Sequence, residues 1–237
     1  ERTHLAFVRA GARLAPEEKK RLGEILERLA TLGTQFSQNV LADEKSYELP
    51  LSEEDLVGLP EFLIQAARKA AEERGSAAKY VITLSRSLIE PFLAFSPRRD
   101  LREQAFKAWI SRGENGGASD NRAIIAEMLK LRRERAHLLG YKTFADYKLE
   151  NTMAKTTANV RALLNEVWPA AKARALQERE KLQAIAQREG ANITIEPWDW
   201  RYYAERVRKA EYDLDESEVK PYLPLDNVIE AAFYVAG

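Results

Sequence analysis

The sequence contains no cysteine and only two histidines, so it lacks most of the side chains used for nucleophilic and metal chemistry. Without cysteine it can form no disulfide, no thiolate nucleophile and no cysteine-ligated metal site. The helical His-Glu-x-x-His zinc motif needs two histidines four residues apart and a glutamate beside the first. His4 and His137 are far apart, and neither is followed by glutamate. We therefore expect no catalytic, cofactor-binding or metal-binding residue within residues 1–237.

Net charge and long apolar runs are also missing. Lysine and arginine (37) balance aspartate and glutamate (37), so no net field attracts the chain to phosphate backbones or anionic lipid. No apolar run approaches the roughly 20 residues that span a bilayer, and the first residues do not form a signal peptide. We expect neither a nucleic-acid partner nor a membrane partner, and we expect a folded protein of the cytoplasm.

What the sequence does contain is apolar residues that recur every three or four positions, a spacing typical of amphipathic helices. Helices are predicted over residues 16–41, 61–74, 96–112, 120–140, 156–190, 197–214 and 228–237. Pro169 is expected to kink or break the longest of these helices, because proline removes a backbone donor.

Two short runs have the β-branched and aromatic composition of strands, at about residues 47–51 and 80–84. The sequence thus predicts a mainly α fold, a multi-helix bundle-like array with at most one small antiparallel β-ribbon. We treat residues 1–237 as one helical region, with a possible subdivision near residues 113–119, where turn residues cluster.

One pair of residues has a metal-like spacing. Glu134 and His137 form a Glu-x-x-His pattern, which places a carboxylate and an imidazole on one face of a helix. In carboxylate-bridged bundles this pattern occurs twice, together with two further glutamates, and here it occurs once. We interpret Glu134 as a surface charge and His137 as a favourable residue at a helix C-terminus. A carboxylate-bridged metal bundle is the minor alternative.

Two further patterns have ordinary structural interpretations. The glycine-rich residues 113–117 follow a predicted helix and lack the Lys-Ser/Thr of a phosphate-binding loop, so they are interpreted as a plain flexible connector. An aromatic cluster lies at the start of another predicted helix and consists of Trp198, Trp200, Tyr202 and Tyr203. Such residues could stack on a ligand, but core packing is the favoured interpretation.

Both ends of the chain suggest an internal fragment of a larger protein. The first residue is Glu1 rather than methionine, and the apolar residues 228–237 predict a helix that needs a partner.

Several short segments match, in the same order, sequence segments of a known family. They are LGTQFSQNV at 32–40, LLGYKTFADY at 138–147, MAKT at 153–156, WDWRYY at 198–203, YDLDE at 212–216 and LDNV at 225–228. As a set they resemble the thimet oligopeptidase family of zinc metallopeptidases, within it the bacterial peptidyl-dipeptidase and oligopeptidase A branch. The resemblance extends over most of the chain.

The resemblance implies that these residues are the non-catalytic helical part of an oligopeptidase or peptidyl-dipeptidase. In that family the His-Glu-x-x-His helix and a third glutamate ligand lie downstream of the segment that matches 225–237. Zinc is therefore expected only in the full-length parent, an enzyme that hydrolyses short peptides, and this fragment alone is expected to be inactive.

The family folds the matching region into one wall of a deep channel that admits short peptides and excludes folded proteins. The expected partners are the remainder of the parent, with its C-terminal catalytic region, and short peptides as substrates of the parent. The alternative is a stand-alone helical scaffold or interaction module with no enzymatic activity.

The histidine count gives a first testable prediction. The purified 237-residue chain, incubated with zinc or iron and then dialysed, is expected to retain no stoichiometric metal when analysed by mass spectrometry. Retention of about one metal ion per chain that is lost in both Glu134→Gln and His137→Ala would establish the carboxylate-bridged alternative.

Overall fold

The computed structural model describes residues 2–212 and 216–237, and most of them are helical. The helices are α1 (Arg2–Arg9), α2 (Pro16–Ser46), α3 (Glu61–Arg74), α4 (Arg86–Phe95), α5 (Arg99–Ile110), α6 (Arg122–Leu138), α7 (Phe144–Leu149), α8 (Thr157–Arg188), α9 (Trp200–Tyr212), α10 (Glu216–Val219) and α11 (Leu225–Ala236). The strands are β1 (Leu49–Leu51) and β2 (Tyr80–Ile82). The predicted mainly α fold is confirmed.

The strands of the described residues form one two-stranded antiparallel sheet, with Pro50 opposite Val81. This confirms the β-ribbon predicted at about 47–51 and 80–84, although each strand has three residues rather than five. Proline donates no hydrogen bond to a ladder, so Pro50 is suited to a short edge strand.

The predicted helix over 61–74 is confirmed at both ends. Gly75 follows it with a φ of +61°, and the backbone N–H groups of Gly75 and Ser76 donate to carbonyls of the last turn. A left-handed residue at this position is the usual glycine cap of a helix C-terminus.

Four helices were not predicted, namely α1, α4, α7 and α10. Helix α4 contains Pro91 in its interior, where a proline ordinarily weakens a helix. It nevertheless buries Leu88, Ile89, Phe92 and Leu93, so packing compensates for the missing hydrogen bond.

Proline does not end the longest helix either. Helix α8 runs without interruption from Thr157 to Arg188 with Pro169 inside it, so a break at that proline is wrong. The predicted helix over 197–214 begins as a 3-10 turn at Pro197–Asp199 and continues as α9 to Tyr212, and Leu214 lies outside the described residues.

The chain forms two compact units, each made from two separate stretches. The first contains residues up to Ser46 and Ser111–Ala175, and the second contains Tyr47–Ile110 and the residues from Leu176 onward. The chain therefore passes between units at three places, and helix α8 belongs to both. The subdivision expected near residues 113–119 stays a prediction.

In the first unit, α2 packs along α6. Their contact buries Ile25 and Leu32 from α2 with Ile124 and Leu131 from α6. In each helix the two residues are seven positions apart, the spacing that returns a side chain to the same helix face after two turns.

Helix α1 is tied to α7 by Arg9. Its guanidinium donates to the Tyr147 carbonyl at 2.5 Å and to Glu150 at 2.9 Å, and lies 4.6 Å from the Tyr147 ring centroid. Arg135 of α6 donates to the Tyr147 hydroxyl at 2.8 Å, so Tyr147 joins three helices.

In the second unit, the β-ribbon, α3, α4 and α5 enclose the largest core. Its buried residues are Leu49, Leu51, Leu59, Leu63, Ala67, Tyr80, Ile82, Leu84, Leu88, Ile89, Phe92, Leu93 and Ala105. A second cluster of this unit joins the last turns of α8 to α9.

Phe92 lies at the centre of the larger core and is fully buried. Replacing Phe92 with alanine removes its ring and leaves a cavity, so we expect a loss of about 3–5 kcal/mol in the free energy of unfolding. Urea denaturation of the 237-residue chain measures this, with Phe233→Ala, at an exposed phenylalanine, as the control. Equal effects of the two substitutions would contradict the assigned core.

Candidate functional site

Each of the two histidines has a protein partner. His4 Nε2 lies 3.3 Å from the Arg13 guanidinium, and His137 Nε2 lies 3.1 Å from the Lys142 carbonyl oxygen. His137 is in the last turn of α6, the position interpreted from the sequence as favourable to its charge. The structure does not bring the two histidines into one site.

Glu134 forms a two-bond ion pair with Arg21 of α2. Arg21 Nε and one terminal nitrogen donate to the two carboxylate oxygens at 2.6 and 3.0 Å. These hydrogen bonds lower the pKa of Glu134 from its ordinary value. Among residues 2–212 and 216–237, no three histidine, aspartate or glutamate side chains are placed to hold a metal ion.

The glycine-rich connector between α5 and α6 encloses a carboxylate. Asp43 of α2 accepts from the Gly113 backbone N–H at 2.7 Å, from Asn115 Nδ2 at 2.9 Å and from Ser119 Oγ at 2.6 Å. An anion of the chain itself therefore occupies the donors that a phosphate would use. The connector is hydrogen-bonded to α2, so its interpretation as a plain connector is wrong, and its flexibility stays a prediction.

These donors determine the protonation of Asp43. Burial by itself raises the pKa of its carboxyl, but the bonds from Ser119, Gly113 and Asn115 outweigh burial and lower it. A carboxylate that accepts several hydrogen bonds is stabilised in its charged form. These bonds therefore favour the ionised form of Asp43 and give it a structural role.

A buried asparagine continues this contact between α2 and the connector. Asn121 donates from Nδ2 to the Phe36 carbonyl at 3.1 Å, and Asn39 Nδ2 donates to Asn121 Oδ1 at 2.9 Å. Gly113 has a φ of +79°, and a Cβ at this position would lie 2.8 Å from Asn121 Nδ2. Only glycine fits there without displacing the asparagine.

The aromatic segment at 198–203 surrounds a buried ion pair. Asp199 is 0% exposed and Arg102 of α5 is 1% exposed, and the Arg102 guanidinium donates to Asp199 at 2.8 Å. Arg102 also donates to the Ser96 carbonyl at 2.7 Å and lies 4.0 Å from the Tyr202 ring centroid. Arginine can satisfy several acceptors and one aromatic face together.

Asp199 has further partners on both sides. Arg99 donates to it from two nitrogens, at 3.1 and 2.9 Å, and this bonding raises the pKa of Arg99. The Glu196 backbone N–H donates to the same carboxylate at 3.1 Å, which caps the turn that precedes α9. The pair therefore fixes the start of α9 against α5.

The burial of the four aromatic residues differs. Tyr202 and Tyr203 are 7% and 4% exposed, which confirms core packing for these two. Trp198 and Trp200 are half-buried. The Arg99 and Lys107 side chains lie 5.6 and 5.1 Å from the Trp198 ring, so cations of the chain already occupy positions near its faces. For Trp198 and Trp200 the favoured interpretation as packing residues stays a prediction.

Sequence reasoning missed Asp43 and Arg102, because their partners are distant along the chain. A charged residue within an amphipathic helix is ordinarily a solvated one. The sequence contained a weak signal for Asp199, because it is the acidic residue inside the aromatic segment used for the resemblance.

Apolar surfaces remain uncovered on two helices. All residues of 161–177 in α8 and of 221–237, which include α11, are exposed. In α11 the large exposed side chains are Leu225, Val228, Ile229, Phe233, Tyr234 and Val235. Large exposed apolar surfaces mark interaction sites. No helix of the described residues is both long and apolar enough to cross a bilayer.

Asp43 gives a pH-dependent prediction. Because folding lowers the pKa of Asp43, its stabilisation is present above the unfolded pKa of about 4 and is lost as the pH falls through the folded pKa. Asp43→Asn is expected to lower the free energy of unfolding by about 1–3 kcal/mol at pH 7 and to have less effect at pH 2. Urea denaturation at both pH values measures this, and an equal effect at both would contradict the ionised state.

The pair of Arg102 and Asp199 gives a second prediction. Asp199→Ala leaves the Arg102 guanidinium buried beside only neutral acceptors, and we expect a loss of about 3–5 kcal/mol. Arg102→Met with Asp199→Ala should lose less than the sum of the single changes, because no buried charge remains. The control is Asp226→Asn, at an exposed position of α11. Additive losses in urea denaturation would contradict the pairing.

The chain is similar to proteins of a known family. The model of peptidase family M3 matches residues 92–236. The chain is 38% identical to the dipeptidyl carboxypeptidase of Escherichia coli (strain K12) over 236 residues, which are 99% of this chain and 35% of that protein. It is 34% identical to oligopeptidase A of Haemophilus influenzae over 232 residues, which are 96% of this chain and 34% of that protein.

The same relation extends to a plant protein. The organellar oligopeptidase A of Arabidopsis thaliana is 33% identical over 235 residues, which are 95% of this chain and 30% of that protein. The chain thus spans about a third of the length of these relatives. The resemblance inferred from the short segments is confirmed, and the chain belongs to peptidase family M3.

Proposed function

We propose that these residues form the non-catalytic helical part of a larger zinc-dependent oligopeptidase or peptidyl-dipeptidase. The observation that carries this proposal is the combination of family membership with a span of about a third of each relative. A further support is the uncovered apolar surface of α11, which is expected of a helix that packs on more of the same protein.

Within the described part of the chain, the two histidines and Glu134 do not fit a zinc ion. Zinc in a hydrolytic site takes three protein ligands, mostly histidine and carboxylate, and leaves one position open for water. His4, His137 and Glu134 are bound to Arg13, Lys142 and Arg21 respectively and do not converge. In the proposed parent, zinc would lower the pKa of a bound water, and its ligands would come from other residues of that protein.

The proposed contribution of this chain is one wall of the substrate channel. A wall that selects by size must hold its shape, and the two buried carboxylates support this. Asp43 fastens the connector to α2, and Asp199 fastens α9 to α5, each through several hydrogen bonds. A cytoplasmic location is part of the same proposal, since a chain without cysteine suits a reducing compartment.

No specific observation favours either of the two alternatives. A stand-alone helical scaffold would not explain identity over nearly the whole chain to peptidases about three times as long. The carboxylate-bridged metal bundle needs Glu134, which is already paired with Arg21 in α2.

Comparing the 237-residue chain with the full-length parent tests the proposed function. The parent is expected to cleave short peptides, to lose this activity with a chelator and to recover it with zinc, whereas the 237-residue chain cleaves no peptide with or without zinc. Zinc-dependent and chelator-sensitive turnover by the 237-residue chain would refute the non-catalytic assignment. A parent without zinc-dependent turnover would refute the peptidase assignment.

A second experiment addresses the channel wall. The parent is offered one cleavable sequence, first as a free short peptide and then inside a stable folded domain. We expect cleavage of the free peptide only, because a narrow channel admits an extended chain and excludes a folded one. Cleavage of each substrate is measured by mass spectrometry. Equal cleavage of both would rule out selection by a channel.

A further inference from the structure

Helix α8 differs greatly between its two halves. Near its C-terminal end, Leu182, Ile185 and Ala186 are buried in a cluster with Tyr202 and Tyr203. In its first half, every residue of 161–177 is exposed. Leu176, 42% exposed, is one large apolar side chain of this part, and four more lie close together, Leu163, Leu164, Val167 and Trp168, which are 62%, 60%, 54% and 67% exposed. We call these four residues the α8 stripe.

The α8 stripe lies on the same helix face as the buried residues. Leu164 and Leu182, Val167 and Ile185, and Trp168 and Ala186 form three pairs whose members are 18 residues apart. Eighteen residues make about five turns of 3.6 residues, so the side chains of each pair point in the same direction. The α8 stripe and these buried residues therefore share a direction on α8, with the half-buried Glu178 between them, and the described chain covers the C-terminal residues.

The exposed half of α8 is a poor helix by itself. In water, isolated helices of this length are marginal, and helices in proteins gain most of their stability from packing an apolar face. Pro169 lies in the middle of this half and costs about 3 kcal/mol relative to alanine. A packing partner on the α8 stripe would supply the missing stabilisation.

The span of the chain indicates what that partner is. About two thirds of the length of each relative lies outside the matched region. The α8 stripe has no charged member, and it points in the same direction as residues that already pack within this chain. An uncharged apolar surface of the same polypeptide is the partner that fits these features.

We infer that the α8 stripe is the docking face for the remainder of the parent peptidase, which covers it with an apolar surface. This inference rests on the proposed function and deepens it, because it assigns Leu163, Leu164, Val167 and Trp168 to packing between regions. These residues belong to the interior of the whole protein and do not line the substrate channel.

The test compares two substitutions to glutamate in the full-length parent. Leu164→Glu puts a charge on the α8 stripe. Ala173→Glu puts the same charge on the opposite face of the same helix, since Ala173 is exposed and about two and a half turns away. We expect Leu164→Glu to lower the Tm by at least about 5 °C, because a buried carboxylate without a partner is costly. Ala173→Glu should change the Tm by less than about 1 °C. Equal Tm values for the two variants would overturn the inference.

A second measurement keeps the inference testable if Leu164→Glu does not fold. Acrylamide quenching of the parent and of its Trp168→Phe variant gives the quenching of Trp168 by difference. We expect Trp168 to be shielded, with a quenching constant several-fold lower than that of free indole. A Trp168 quenched as efficiently as free indole would overturn the inference.

Measurements of turnover and of oligomeric state distinguish failure of the docking face from failure of the peptidase function. If Leu164→Glu and Ala173→Glu have equal Tm values and the parent has zinc-dependent turnover, only the docking face is overturned. If Leu164→Glu lowers the Tm as expected and the parent has no turnover, only the peptidase function is overturned. A raised KM for short peptides in Leu164→Glu, with unchanged Tm, would place the stripe in the channel and overturn the inference. A parent dimer that Leu164→Glu converts to a monomer, measured by sedimentation, would assign the stripe to a second copy and overturn it too.

Discussion

The ion pair between Arg102 and Asp199 is the contact on which the arrangement of the second unit depends. A guanidinium and a carboxylate that are both removed from water must satisfy nearly all of their hydrogen-bonding groups. Arg102 does so by binding Asp199, the Ser96 carbonyl and the Tyr202 face, and Asp199 also caps the turn before α9. The positions of α5 and α9 are thereby coupled, and the tyrosines are held against the end of α8.

The first unit also has a buried carboxylate, Asp43, whose hydrogen-bond donors among the described residues are the neutral groups of Gly113, Asn115 and Ser119. Asp43 and Asn121 bind the connector and the α2 backbone, and some of the segments that carry the family resemblance lie at such contacts. Residues 32–40 contain the Phe36 carbonyl and Asn39, and residues 198–203 contain Asp199. In this chain, two of the six segments that carry the resemblance therefore contain buried polar contacts.

The two kinds of surface have different consequences. The buried carboxylates give the helices a fixed arrangement within each unit, whereas α11 and the α8 stripe leave apolar surface uncovered. A protein with this much exposed leucine, valine and aromatic surface on two helices is expected to pack against more protein. The proposed channel wall and the proposed docking face are thus complementary parts of one scaffold.

Four features could be predicted from the sequence, namely the helical class, the β-ribbon, the α3 boundaries and the family. They depend on apolar periodicity and short sequence motifs, which are properties of neighbouring residues. The break considered at Pro169 is wrong, because helix α8 continues through that proline. Sequence reasoning also missed Asp43 and Arg102, since a charge in an amphipathic helix has the same sequence pattern whether it faces water or a distant partner. The sequence alone determined that this chain holds no His-Glu-x-x-His motif, because its two histidines, His4 and His137, lie far apart. Only the tertiary structure decided which charges are buried and which apolar face remains open, because both depend on residues brought together from far along the chain.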